Sequence, residues 1–312
     1  MADSTKDGHI LLFFLKIAVF LLSRFPYLTR IKILTALIRF GVACSPSHKR
    51  VAHKNLSFVF PEKDAAWREE IIRKHCTVLA QLLVDFFRIP SLDEEWVKKH
   101  MKFPEMQRFT EVVRADPNKG AFIMTGHIGS FELAPLASAM GQAPVCIIVR
   151  DMKQKAVNEW WNAFRCTHGN TVLSRNGAVK GMIKRIKKGQ DIGFLFDQNV
   201  TRNNAIFVNW FGRLAATSEA FGQLAMRLKT PVVIICVRTR GVDDYEIPFY
   251  HVQTDDLYND ETITIDEGAR IITERSVAIM EKIIKEEPEA WFWFHKRWRT
   301  TPSEDIPEDF YD

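Results

Sequence analysis

A histidine flanked by glycines and followed five residues later by a carboxylate is the strongest chemical signal in the chain: Gly126-His127-Ile-Gly129-Ser-Phe-Glu132. The pattern suits a histidine general base oriented by an acid and held on a strand-to-helix turn. Spacing alone does not single it out, because His100/Glu105 and His251/Asp256 repeat it. On a regular helix, residues five apart point about 140° away from each other, so a working pair needs its histidine on the preceding turn. Gly126 and Gly129 permit such a turn around His127. His100 runs into Phe103-Pro104, where the proline favours extended backbone, and His251 lies in a strand-like stretch. His127 and Glu132 are therefore the candidate catalytic pair. The plain alternative is a turn histidine that caps the helix beginning nearby.

Four further residues carry candidate binding chemistry. Arg150 follows the apolar run Val145–Val149, at the rim of an expected sheet, where a guanidinium binds phosphate bidentately. An ion pair with Asp151 is its surface alternative. Arg175 has a similar case. Asp197 and Gln198 follow the strand-like Ile192–Phe196, at the carboxyl end where α/β sheets gather their sites. A carboxylate there orients Arg150 or Arg175, or binds a sugar hydroxyl, unless it is only a polar turn.

These groups need a scaffold, and the apolar pattern supplies one. The first ninety residues read as helical. Beyond about residue 97, expected strands 121–124, 145–149, 171–173, 192–196, 205–208, 232–237 and 245–252 alternate with expected helices 106–114, 131–140, 153–166, 178–188, 218–228, 266–285 and 289–298. That alternation indicates an α/β fold with one central sheet covered by helices. Residues 46–312 form the expected catalytic domain and residues 1–45 a helical extension. Its apolar stretch from Ile10 to Leu22 carries one lysine and is short of the roughly 20 residues a spanning helix needs. A helix lying in, or part-way into, a membrane fits, with Arg24, Arg30, Lys32 and Arg39 facing anionic headgroups.

Composition narrows the class. With 46% hydrophobic and 26% charged residues in 312, the chain is globular and not disordered. The net charge of +5 is clustered, notably at Lys180–Lys188 and His295–Arg299, which suits membrane surfaces, phosphorylated substrates or acidic proteins. No nucleic-acid module accompanies it. The five cysteines are widely spaced, odd in number and without zinc-ligand spacing, so reduced thiols and chemistry free of metal and cofactor are expected.

Several blocks recur in a fixed order: Arg50-Val-Ala-His-Lys-Asn55, the His127 turn, Val149-Arg150, Leu173-Ser-Arg175-Asn-Gly177, Phe196-Asp197-Gln198-Asn199, Trp210-Phe-Gly212-Arg213 and Trp291-Phe-Trp-Phe-His295-Lys-Arg297-Trp298. Together they resemble the bacterial late acyltransferases of lipid A biosynthesis, the lauroyl/myristoyl transferase family, over roughly residues 10–302. Through them the chain is similar to the wider glycerolipid acyltransferase group, whose hallmark is a histidine followed by an acid at this spacing. The resemblance implies a mixed central sheet covered by helices and an acyl thioester donor carried on acyl carrier protein. It also implies an acceptor hydroxyl on a phosphorylated lipid A precursor, and a place on the cytoplasmic face of the inner membrane. Glu132 stands where the wider group often has aspartate. Transfer to another membrane glycolipid or a lysophospholipid is the nearest alternative; a non-catalytic, anionic-lipid-binding peripheral protein is the other.

Overall fold

Short apolar runs without polar interruption come from strands buried on both faces, and such strands pair in parallel between helical layers. The computed structural model of the protein, described over residues 3–303 and 309–311, follows this logic. Four helices come first: α1 (Asp3–Ser23), α2 (Tyr27–Ala43), α3 (Pro46–Val59) and α4 (Ala65–Arg88). Next are α5 (Glu94–His100), β1 (Met101–Lys102), α6 (Met106–Val113), β2 (Phe122–Thr125), α7 (Leu133–Met140) and β3 (Cys146–Val149). The chain continues through α8 (Lys155–Cys166), β4 (Thr171–Ser174), α9 (Ala178–Ile186), β5 (Ile192–Leu195) and the hairpin β6 (Ala205–Trp210) and β7 (Arg213–Ser218). It closes with α10 (Ala220–Leu228), β8 (Val232–Ile235), β9 (Arg238–Gly241), β10 (Asp244–Glu246), β11 (Phe249–Val252), α11 (Asp255–Tyr258) and α12 (Ile265–Glu286).

The central sheet has the order β11-β8-β2-β5-β3-β4. Its pairs are parallel except at the edge, where β11 runs antiparallel to β8, so the sheet is mixed. Alternation divides its side chains between two faces. Phe122, Met124, Ile148, Phe194 and Ile234 enter the main core with α9, α10 and α12. Ile123 and Val233 turn to the other face, against Val113 of α6. Thr125 of β2 pairs with Leu195 of β5, so the two chains leave the sheet side by side. That register brings the site together.

Two expected elements differ. The stretch 245–252 divides into β10 and β11, because Pro248 offers no N–H to a ladder. The expected helix 289–298 is only a 3₁₀ turn at Pro288–Ala290 followed by irregular backbone. Its rings serve the core: Trp291, Trp293 and Trp298 are at most 2% exposed. Trp291 stacks on Trp210 with centroids 6.3 Å apart, and Asn55 of α3 ties the segment down by donating to the carbonyls of Trp293 and His295 at 2.8 and 2.9 Å. Core packing, rather than a place at a membrane interface, accounts for these tryptophans.

At the other end of the chain, α1 lies against α8 and α2 along α4. Both leave apolar side chains in the open: Phe13 is 60%, Phe14 62% and Phe40 70% exposed. Among the described residues no helix is long and apolar enough to cross a membrane.

Candidate active site

His127 lies two residues beyond the end of β2, on a turn stitched at several points. Its carbonyl accepts from Phe292 N at 3.1 Å, and Gly129 N donates to the Ala290 carbonyl at 3.0 Å. Gly129 adopts φ +56, and a Cβ there would lie 2.4 Å from the Val237 carbonyl oxygen, so only glycine fits. Ser130 Oγ donates to the buried carboxylate of Asp85 at 2.5 Å. The same carboxylate accepts from the hydroxyls of Tyr27 and Tyr245, which links the turn to α4 and to the start of α2.

The acid on His127 is Asp197, not Glu132. Imidazole Nδ1 is 2.8 Å from Asp197 Oδ1. Asp197 Oδ2 accepts from His127 N at 2.9 Å and from Trp291 Nε1 at 2.8 Å. The residues β2 and β5 pair at Thr125 and Leu195, and His127 and Asp197 are each two positions further on. Parallel strands therefore deliver them as neighbours. Burial works against the Asp197 charge, but His127 and the Trp291 indole hold its carboxyl down at about 2. Asp197 is thus ionised and orients the histidine, instead of holding Arg150 or Arg175.

Glu132, expected on the same imidazole, immediately precedes α7 and turns to α8, where Arg165 Nε donates to its Oε2 at 3.0 Å and Nη2 to its Oε1. Both carboxylate oxygens are engaged by that guanidinium. The pair still belongs to the site, because Glu132 and Arg165 line the same cavity as His127.

With Asp197 accepting a hydrogen bond from Nδ1–H, the lone pair of neutral His127 lies on Nε2. Gln198 Nε2 sits 3.3 Å from that atom, as an amide N–H donor would. The imidazole is 28% exposed and Asp197 2%, so the base is accessible while its orienter is dry.

His127 opens onto a cavity of about 600 Å³. Its walls run between the Ile123 and Thr125 face of the sheet and helices α6 and α7, with Val113, Ala137, Ile147, Ile235 and Phe249 supplying apolar surface. Gly193 of β5 adds no side chain to this wall. At the opposite end of the strands, Arg114 lines the cavity and binds Asp191 through two hydrogen bonds of 2.9 and 2.6 Å. Asp191 also accepts from Ala121 N at 2.8 Å, which anchors that closure to the sheet.

The rim is basic. Val149 and Ser174 are paired, so Arg150 and Arg175 follow adjacent strand ends about 4.8 Å apart. Both are exposed and both line the cavity mouth. Asp151, the neighbour that would neutralise Arg150, accepts instead from Ser174 Oγ. The structure therefore gathers His127, Glu132, Arg150, Arg175 and Gln198 on one cavity, with Asp197 directly behind His127.

Sequence reasoning missed Arg165, Arg114 and His295. Arg165 lies within α8 and Arg114 just past the end of α6, neither within any motif. His295 was visible as part of the closing aromatic block, but nothing in its spacing points to residues a hundred positions earlier.

Known proteins resemble the chain over most of its length. Residues 4–300 match the family of bacterial lipid A biosynthesis acyltransferases. The chain is 24% identical over 274 residues to a lipid A biosynthesis palmitoleoyltransferase of Escherichia coli strain K12, covering 85% of this chain and 84% of that protein. It is similar to two other proteins of that strain. One is a lipid A biosynthesis lauroyltransferase, 22% identical over 271 residues with 84% and 82% covered. The other is a lipid A biosynthesis myristoyltransferase, 23% identical over 201 residues with 64% and 62% covered. On the strength of a match spanning nearly all of its length, the chain belongs to the bacterial lipid A biosynthesis acyltransferase family.

Proposed function

We propose that this protein transfers a fatty acyl group from an acyl thioester to a hydroxyl of a phosphorylated lipid A precursor, with His127 as general base. The observation that carries the reading is the His127–Asp197 pair at the mouth of an apolar cavity with an arginine rim. The acceptor oxygen attacks the thioester carbonyl carbon, and its proton passes to His127 Nε2. The carbonyl π pair moves onto oxygen. When the tetrahedral intermediate collapses, the C–S bond breaks and the thiolate takes the proton from His127, leaving an ester and a free thiol. Asp197 fixes the tautomer and stabilises the transient imidazolium. Glu132 acts one step further out, holding Arg165 on the cavity wall.

The cavity takes the acyl chain. From Ala121 to His127 six residue steps cover at most about 20 Å. A C–C bond of about 1.5 Å advances roughly 1.3 Å per carbon, so chains of up to about 15 carbons fit within that length. Arg150 and Arg175 hold acceptor phosphate. Exposed Lys180, Lys184, Lys187 and Lys188 on and just after α9 suit an acidic acyl carrier protein as donor. The exposed apolar side chains of α1 and α2 rest in the inner membrane on its cytoplasmic side, with Arg24 and Lys32 among headgroups.

Mass spectrometry tests this directly. The full chain is incubated with a mixed pool of acyl-carrier thioesters and either a lipid A precursor or a lysophospholipid. Acyl gain on the precursor with release of thiol supports the reading, and gain on the lysophospholipid alone redirects it to the other acceptor class. Binding to anionic vesicles without acyl gain on any lipid overturns it in favour of a non-catalytic lipid-binding protein.

A further inference from the structure

Acyl transfer places negative charge on the thioester oxygen, and that charge needs a donor. The turn amides are poor candidates: Ile128 N is bonded to the Gly126 carbonyl at 2.8 Å and Gly129 N to the Ala290 carbonyl. The cavity wall holds another group. His295, half-buried, lines the same cavity as His127. Its Nε2 accepts from Asn199 N at 2.7 Å. A backbone amide can only donate, so in the neutral ring the proton of His295 resides on Nδ1. Burial, with Arg297 and His127 nearby, pushes His295 down to about 4 against the pull of Asp197, which keeps it neutral at physiological pH.

The three residues after Phe196 thereby set two imidazoles in opposite senses. Asp197 accepts a hydrogen bond from the Nδ1–H of His127 and leaves its Nε2 lone pair for the acceptor hydroxyl, with Gln198 beside it. Asn199 occupies the Nε2 lone pair of His295 and leaves Nδ1–H as a donor. The backbone of His295 is fixed as well, its carbonyl accepting from Asn55 Nδ2 at 2.9 Å and from Arg297 N at 3.0 Å. One histidine accepts a proton and the other donates a hydrogen bond. Resting on the acyltransferase reading above, we propose that His295 is a second catalytic histidine, whose Nδ1–H binds the thioester carbonyl oxygen and stabilises the oxyanion.

Two substitutions separate this role from a structural one. His295→Gln offers a carbonyl oxygen near the Nε2 position, so it keeps an acceptor for Asn199 and loses the Nδ1 donor. His295→Asn offers an amide N–H near Nδ1 and loses the acceptor. Both full-length variants and the wild type are assayed for thiol release and acyl-lipid mass with an acyl-carrier thioester and a lipid A precursor, and thermal unfolding is measured in parallel. The expected result is a kcat about 100- to 1000-fold lower for H295Q, the cost of losing one oxyanion donor, with KM for the precursor nearly unchanged. H295N should recover part of that loss. Wild-type rates in H295Q, or an H295N no faster than H295Q, overturn the inference. A wild-type chain that moves no acyl group overturns the acyltransferase reading itself, and this inference with it.

Discussion

Replacing Asp197 by Asn changes one atom and should remove nearly all turnover, for a reason legible in the hydrogen bonds. Asp197 Oδ2 accepts two N–H groups, from His127 N at 2.9 Å and Trp291 Nε1 at 2.8 Å. An asparagine must put its carbonyl oxygen there, so its NH2 faces His127 Nδ1 in place of Oδ1. Nδ1 then becomes the acceptor and the ring proton moves to Nε2, the atom that must receive the acceptor proton. A wrongly fixed tautomer lowers kcat by about 10⁴-fold, equivalent to about 5.5 kcal/mol at 1.36 kcal/mol per decade. KM for the thioester should change little, because Asp197 lies behind the imidazole and outside the cavity lining. Thiol release under saturating donor and acceptor measures the rate, and circular dichroism checks the fold. A D197N protein that folds and keeps more than a tenth of wild-type kcat refutes the argument. The acid behaviour has a defined sign too. Since the folded carboxyl titrates at about 2 against 3.8 unperturbed, its charge stabilises the fold above about pH 4 and that contribution vanishes as pH falls towards 2.

Three further outcomes follow from the same geometry. Arg150→Ala and Arg175→Ala should each raise KM for the phosphorylated precursor by roughly 10- to 100-fold, from a charge-assisted bond of about 1.5–3 kcal/mol. A dephosphorylated acceptor, titrated in parallel, should abolish the difference from wild type. A Cβ on Gly193 meets its nearest atoms, Cys146 O and Ile147, only at 3.9 Å. Gly193→Val should therefore fold, fill part of the cavity and shift products to chains about two carbons shorter, with about tenfold discrimination at roughly 0.8 kcal/mol per CH2; product masses from a mixed donor pool read this out. Burial holds His75 at about 4, against 6.5 unperturbed. As pH falls from 6.5 to 4 the unfolded chain takes a proton that the folded chain refuses, so stability is lost at up to about 1.4 kcal/mol per pH unit. His75→Asn keeps an amide N–H near the Nδ1 position for the Glu289 carbonyl and should flatten that limb of a denaturation series run from pH 7 to 4.

The parallel strands were legible because burial on both faces favours unbroken apolar runs, as in Phe122-Ile-Met and Cys146-Ile-Ile-Val. Their ends shifted by about one residue. The segment after Pro288 was not legible: its apolar spacing matches a helix, while its conformation is dictated by Trp210, Asn55 and Asp197 from distant parts of the chain. The site divides in the same way. Glycines mark His127 locally. Its partner depends on which strand lies beside β2, and that register is a long-range fact, so the near carboxylate, Glu132, looked better placed than Asp197. Asp197 was visible as a residue at a strand end, but its task was not. The rim arginines needed only the ends of their strands.

The account rests most directly on His127 as the base, and one measurement addresses it: kcat for acyl transfer from thioester to lipid A precursor in wild type and His127→Ala. Removing a positioned general base costs about 10²- to 10⁴-fold, so the alanine variant should fold, associate with anionic vesicles as the wild type does, and lose at least a hundredfold in turnover. An alanine variant that transfers acyl groups at the wild-type rate contradicts the account.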